Sequence, residues 1–318
     1  MLETIGLFVL GLVLLALGGD SIVKGASGLA QRFGASPFVA GLLLVAVGTS
    51  LPELAVNLRA IFSGQQALAL GNAVGSNVVN FGLTLGAAAV AAPLLVSWRA
   101  LNPLLLALIL GTVALIVLGL DGVLSRAEGI GLLVVYVAVV AYAIARTRGE
   151  TPVVQASIGS YARTSTDLVQ NLLRFAVAAV VLYFGAKLVV DSAPLLGAGL
   201  GLSPLLTGLL PVAIGTALPE MAAAVMAARR GQGDIVVGHV IGSSLFNLMV
   251  IVGGMATLAG ALPLPASFIR FELPAAIVFA VMLVPMLKGD LRISRGEGGV
   301  LLLAFAAWIG LEWLFIHG

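Results

Sequence analysis

The sequence predicts an all-α polytopic membrane protein, with ten transmembrane helices in two inverted five-helix repeats. Three observations carry this expectation. Of 318 residues, 60% are hydrophobic and 9% charged, with mean hydropathy +1.16. A soluble domain carries about 25% charge. The apolar residues gather into ten segments of roughly membrane length. Finally, GTSLPE at 48–53 returns as GTALPE at 215–220. Short alternating segments of the kind a membrane β-barrel needs are not present.

The first span is expected near 4–19, inside MLETIGLFVLGLVLLALGG. That stretch lacks a basic leader and reads as a retained span rather than a cleaved signal. Spans near 37–62 and 67–92 carry GTSLPE and GNAVGSNVVN, and spans near 101–120 and 129–145 complete the first half. The longest polar stretch, 146–171, holds RTRGE and SYARTSTD and reads as a linker. The second half begins with a span near 172–193. Spans near 204–228 and 234–260 carry GTALPE and GHVIGSSLFN, and those near 270–287 and 299–316 end the chain. The expected organisation is a first repeat at 1–145, a linker at 146–171 and an inverted second repeat at 172–318.

A shift of 167 residues aligns the halves without a gap for almost fifty positions. Gly34, Ser36, Pro37 and Gly41 meet Gly201, Ser203, Pro204 and Gly208. Farther on, Gly71, Gly75, Ser76 and Asn80 meet Gly238, Gly242, Ser243 and Asn247. Five spans is an odd number, so the second half enters the membrane from the opposite side. Transporters of that build hold their substrate near the midplane, where interrupted helices meet. With the N-terminus outside, 12 of the 16 Lys and Arg fall on the cytoplasmic side and 4 on the other, which favours both termini outside.

Composition also excludes functions. There is no cysteine, so disulfides, thiol catalysis and cysteine metal sites are ruled out. Two histidines cannot build a multi-histidine zinc site, and a net charge of +2 is too small to suggest nucleic acid. Nothing points to a cofactor or an obligatory protein partner, and the medium is a lipid bilayer.

Of fourteen acidic residues, only Glu53 and Glu220 are expected to lie deep; the other twelve fall near span ends or in loops. A charge at bilayer depth costs about 2.5–3.5 kcal/mol on insertion scales and reads as functional. Pro52 and Pro219 lack an N–H, so the carbonyls of Gly48 and Gly215 lose their helical partners. Such backbone is tolerated only where protein or a wet cavity meets it. Free carbonyls, the hydroxyls of Thr49 and Thr216 and two carboxylates therefore converge as an oxygen-only set. Hard cations prefer oxygen; calcium takes six to eight such ligands, and two carboxylates neutralise its charge.

Asn72, Ser76 and Asn80 share a helix face in the next span, as His239, Ser243 and Asn247 do in the second repeat. Asn80 and Asn247 are expected in the site. Gly71, Gly75, Gly238 and Gly242 read as close helix packing. His239 is expected near the membrane surface beside Asp234, rather than as a ligand or proton relay. The pair Asp20–Lys24, answered by Lys187–Asp191 with charges exchanged, reads as a structural anchor at helix ends.

At GTSLPE with GNAVGSNVVN, and GTALPE with GHVIGSSLFN, the chain resembles the cation/calcium exchanger superfamily, most closely prokaryotic sodium/calcium exchangers. The resemblance spans both halves. It implies a ten-helix antiporter of the prokaryotic inner (cell) membrane, in which helices 1 and 6 slide against the other eight. It implies that Glu53 and Glu220 hold calcium together with Thr49 and Thr216. It maps flanking sodium sites to Ser50, Ser76, Asn80, Ser243 and Asn247, joined by the carbonyls of Ala46 and Ala213. The second repeat departs from the pattern at Ala217, Asn247, His239 and Ser244, where relatives carry serine, in some cases aspartate, and asparagines.

The leading expectation is therefore a secondary antiporter, not an enzyme, moving calcium out against entering sodium. Both ions need the ionised glutamates, so they compete for overlapping sites. Proton coupling is the alternative, because a buried carboxylate can be neutralised by a proton instead of sodium. A cation channel would need no counter-ion. An intramembrane enzyme finds no support in a nucleotide loop or chelating cluster.

Overall fold

The computed structural model describes residues 1–36, 40–41, 50–97, 101–146, 151–288 and 291–317. Among the described residues, eleven helices have bounds at both ends, in order α1 Leu2–Arg32, α2 Leu51–Phe62, α3 Gln66–Ala91, α4 Leu101–Asp121, α5 Arg126–Arg146, α6 Pro152–Ala162, α7 Leu168–Gly199, α8 Pro204–Arg229, α9 Gly233–Ala259, α10 Phe268–Lys288 and α11 Arg295–His317. Among the described residues, nine are long and apolar enough to cross a membrane, all but α2 and α6. They match nine of the ten expected spans, and α2 is the described end of the tenth.

Two small antiparallel ribbons tie the loops together. Strand β1 (Leu94–Leu95) pairs with β4 (Arg292–Ile293), and β2 (Val123–Ser125) pairs with β3 (Ala261–Pro263). A shift of 167 carries Leu94 onto Ala261 and Ser125 onto Arg292, so the repeat maps one ribbon onto the other. One ribbon joins the loop after the third span to the loop after the ninth; the other joins those after the fourth and eighth. They therefore lie at opposite ends of the bundle, which is the inversion expressed in backbone hydrogen bonds.

Beside each ribbon stands a capping box. The Ser125 N–H donates to Glu128 Oε2 at 2.7 Å, and the Glu128 N–H returns a bond to Ser125 Oγ at 3.3 Å. In the second repeat, Ser294 and Glu297 do the same at 2.7 and 3.2 Å. Reciprocal bonds of this kind satisfy amides left open at a helix start, and they fix where α5 and α11 begin.

Helices α1 and α7 are longer than expected, at 31 and 32 residues. Glycines that suggested an end to the first span lie instead along the line where the two helices meet. A Cβ on Gly11 would stand 2.9 Å from the Gly185 carbonyl, and one on Gly18 would meet Leu182 at 2.8 Å. Contact this close offsets the weak helix preference of glycine. The ion pairs form as read, Lys24–Asp20 at 2.7 Å and Lys187–Asp191 at 2.9 Å, with Arg59 reaching Asp191 at 3.3 Å. They lie well inside these helices rather than at their ends.

The centre belongs to α3 and α9, whose apolar windows are 83% and 94% buried, against 44% or less for the other seven spans. A Cβ on Gly71 would stand 1.9 Å from the Leu205 carbonyl, one on Gly75 2.4 Å from that of Leu209, and one on Gly208 2.0 Å from that of Leu68. Backbone thus meets backbone between α3 and α8, as the glycine spacing predicted for Gly71 and Gly75. Both central helices widen into a π-turn at repeat-equivalent places, Asn80–Leu85 and Phe246–Val252. Such turns re-aim side chains and gather at functional sites.

Helix α8 keeps helical geometry through Pro219, whose missing N–H leaves the Gly215 carbonyl without its usual helical donor, and a π-turn precedes it at Gly208–Val212 around Pro211. One expectation needs correction. The stretch 146–171 is more than a linker, since α6 lies within it. Thr151 caps α6, Val154 and Ile158 are buried, and Gln31 Nε2 donates to the Ala162 carbonyl at 2.7 Å. A polar composition concealed one apolar face one turn apart.

Candidate functional site

Glu53 stands in the first turn of α2, directly after Pro52, and is 1% exposed. Proline suits that position, where an N–H has no helical partner anyway. Asn57 Nδ2 donates to the Glu53 carbonyl at 2.8 Å and steadies the turn. Glu220 projects from α8 with its side chain 9% exposed. The Glu53 carboxylate lies close to both the Glu220 carboxylate and the Thr216 hydroxyl. The Thr216 hydroxyl also donates to the Ala213 carbonyl at 3.2 Å, joining two of the expected ligands to each other.

A neutral network from both repeats closes around the carboxylates. The hydroxyls of Ser50 and Ser243 are 2.7 Å apart, and Asn80 Nδ2 donates to Ser243 Oγ at 3.1 Å. Asn247 Nδ2 donates to Asn77 Oδ1 at 3.2 Å, and Asn77 Nδ2 donates to the Ser244 carbonyl at 3.2 Å. Ser50, Asn80, Ser243 and Asn247 are thus brought to one centre. Asn77 and Ser244 were not singled out as site residues, although their sequence positions mirror one another across the repeat.

What the network leaves open is informative. Among the described residues, no hydrogen-bonding partner meets Glu53 Oε2, Glu220 Oε1, Asn72 Oδ1, Ser76 Oγ, Asn80 Oδ1, Ser244 Oγ or Asn247 Oδ1. A buried polar atom left unpaired costs about 1–3 kcal/mol, so such a cluster fits a ligand that oxygen can satisfy. The donor set is that of a hard cation. Among the described residues no three His, Asp or Glu side chains form a metal cluster, so a cation here draws most of its shell from neutral oxygens. Ala46 and Thr49, expected to complete the shell, lie outside the described residues.

His239 is not where it was expected. Its Nε2 stands 3.3 Å from Glu220 Oε2, and its side chain is 9% exposed. Asp234, the expected neighbour, instead accepts from the Ser97 N–H at 2.7 Å. The face shared with Ser243 and Asn247 did point His239 inward; proximity to Asp234 in sequence misled. Glu220 and His239 line a narrow cavity of about 50 Å³ that follows α8 and α9 past Ala224, Ala227 and Ile235.

Two further acidic residues are enclosed without lying at mid-span. Glu272 and Glu312 stand near span ends, as expected, yet are 2% and 3% exposed, because the start of α10, the last turns of α11 and the turn into α8 close around them.

Comparison with known proteins agrees with this architecture. The family described as "Sodium/calcium exchanger protein" matches residues 3–145 and 171–314. The chain is 34% identical to the inner membrane protein YrbG of Escherichia coli strain K12, over 99% of this chain and 98% of that one. It is 29% identical to the sodium/calcium exchanger MaX1 of Methanosarcina acetivorans, over 95% and 96%. A solved structure of the sodium-calcium exchanger NCX_Mj, soaked with 2.5 mM Na⁺ and 0.1 mM Ca²⁺, superposes with TM-score 0.68 at 28% identity, covering 98% of each chain.

Proposed function

The chain belongs to the sodium/calcium exchanger protein family, and from that premise we propose that it moves calcium across the membrane in exchange for sodium, by alternating access at a centre built on Glu53 and Glu220. As a family member it is an integral membrane antiporter of the cation/calcium class and not an enzyme. The observation that carries the finer reading is the meeting of two carboxylates with unpartnered oxygens from both repeats.

Calcium would take Glu53 and Glu220 as its charged ligands, with Thr49 and Thr216 beside them. Sodium ions would use Ser50, Ser76, Asn80, Ser243 and Asn247, together with the carbonyls of Ala46 and Ala213. The ion sets share the carboxylates, so filling one discourages the other. An empty centre with two ionised glutamates resists crossing between open states, because two charges would pass through a low-dielectric barrier uncompensated. Exchange follows from that penalty. Backbone contact between α3 and α8 suits a rigid half, and the α1–α7 pair suits the part that slides. The excess of Lys and Arg on one side supports both termini facing outward, with calcium leaving the cell as sodium enters.

The test is radioactive calcium uptake into proteoliposomes loaded with sodium, potassium or choline, with and without a pH gradient. Uptake that needs internal sodium is the expected result. Uptake that follows the pH gradient and ignores sodium would overturn sodium coupling in favour of protons.

A further inference from the structure

A second cavity, of about 600 Å³, opens at the end of the bundle where both chain termini lie. It sits between the turn into α8 (Gly201, Ser203), the start of α10 (Ser267, Glu272) and the last turns of α11 (Glu312). None of these residues enters the central network. Glu272 and Glu312 are within electrostatic reach of one another. The Ser267 hydroxyl bonds to the Glu272 carboxylate. Yet Glu272 Oε2 and Glu312 Oε1 are buried, both residues line the cavity, and neither oxygen finds a hydrogen-bonding partner among the described residues.

Among the described residues, these two carboxylates, nearly sealed from solvent and each with an orphaned oxygen, have no positive counterpart of matching depth. Arg270 also lines the cavity, but its own position is exposed. The geometry points to a peripheral site for a hard divalent cation, held by Glu272 and Glu312 and distinct from the exchange centre. Only oxygen is on offer, from two carboxylates and the hydroxyls of Ser203 and Ser267, which selects hard ions over soft ones. Two carboxylates balance a double charge. The volume is far more than one water needs, so the ion keeps part of its hydration shell. A cation there ties α10 and α11 to the turn that leads into α8. The site stands or falls independently of the central one.

The molecule carries its own reporter, because the Trp308 indole lies beside the Glu312 carboxylate. Terbium, a hard trivalent ion that occupies calcium sites, emits when a neighbouring tryptophan is excited. The experiment titrates terbium into detergent-purified protein carrying Glu53→Gln and Glu220→Gln, which removes the central carboxylates. A saturable emission that calcium displaces is expected. It should fall at least tenfold when Glu272→Gln and Glu312→Gln are added. Trp308→Phe should dim the emission while leaving calcium bound per chain, by equilibrium dialysis, unchanged. If the fourfold variant does not fold, Glu312→Gln alone in the same background should lose the bound calcium. Emission that vanishes with the central glutamates, or that survives loss of Glu272 and Glu312, overturns the proposal.

Discussion

Asn77 Nδ2 donates to the carbonyl of Ser244 at 3.2 Å, and Ser244 is the residue that occupies the position of Asn77 in the second repeat, 167 residues on. A residue that touches its own repeat mate lies on the axis relating the halves. Asn77 also accepts from Asn247 at 3.2 Å, so one amide joins the axis to the site.

Removing that amide should therefore be felt as stability first. Asn77→Ala strands the buried Asn247 amide, at about 1–3 kcal/mol, and removes the side-chain donor to the Ser244 carbonyl. Thermal unfolding in detergent should show a clear drop in Tm. An unchanged Tm would mean that the link across the axis is incidental.

Backbone contact between α3 and α8 makes a sharper steric prediction. Gly71→Ala drives a methyl to within 1.9 Å of the Leu205 carbonyl, where only a shift of the helix gives relief. Overpacking of this kind typically costs about 1–3 kcal/mol and sometimes more. Gly131→Ala in α5, with nothing within 4 Å of the added carbon, should be close to neutral. The comparison is made by the yield of monodisperse protein and by Tm.

His239 touches Glu220 at 3.3 Å and should act on the position of that carboxylate rather than carry the ion itself. His239→Ala should raise the calcium concentration for half-maximal uptake by about threefold to tenfold, equivalent to roughly 1 kcal/mol, with maximal rate little changed. Complete loss of transport would make His239 indispensable to the centre, and no effect would make the contact irrelevant.

Docking of α6 on α1 through Gln31 and the Ala162 carbonyl gives the polar stretch a structural role. Ile158→Asp places a charge at a fully buried position, at a penalty of several kcal/mol unless α6 lets go. Limited proteolysis should then cut within 151–167 far faster than in the parent chain. Equal rates would contradict a docked helix.

Much of this architecture was legible because the determinants were repeated. The apolar runs place nine described spans, seven of them to within about four residues at either end, while α1 and α7 run longer, and duplication of Pro-Glu beside Ser and Asn points to Glu53, Glu220, Asn80 and Ser243. What stayed hidden depends on packing between elements distant in sequence. Glycines along α1 read as an end until α7 lies against them. Glu272 and Glu312 look like ordinary residues near span ends, and they are buried only when the start of α10, the end of α11 and the turn into α8 come together. The partner of His239 is set by how α8 and α9 face each other, whereas sequence proximity favoured Asp234. The apolar face of α6 is short and interrupted by polar residues, so composition alone made it a linker.

The central claim is that calcium rests on both carboxylates, one from each repeat. Radioactive calcium uptake into sodium-loaded proteoliposomes, with Glu53→Gln and Glu220→Gln compared singly against the parent chain, tests it most directly. Each variant should reconstitute as folded protein and lose at least about a hundredfold in initial rate, equivalent to roughly 2.8 kcal/mol. If either glutamine variant transports calcium at a rate near that of the parent, its carboxylate is not a ligand and the shared centre proposed for Glu53 and Glu220 is wrong.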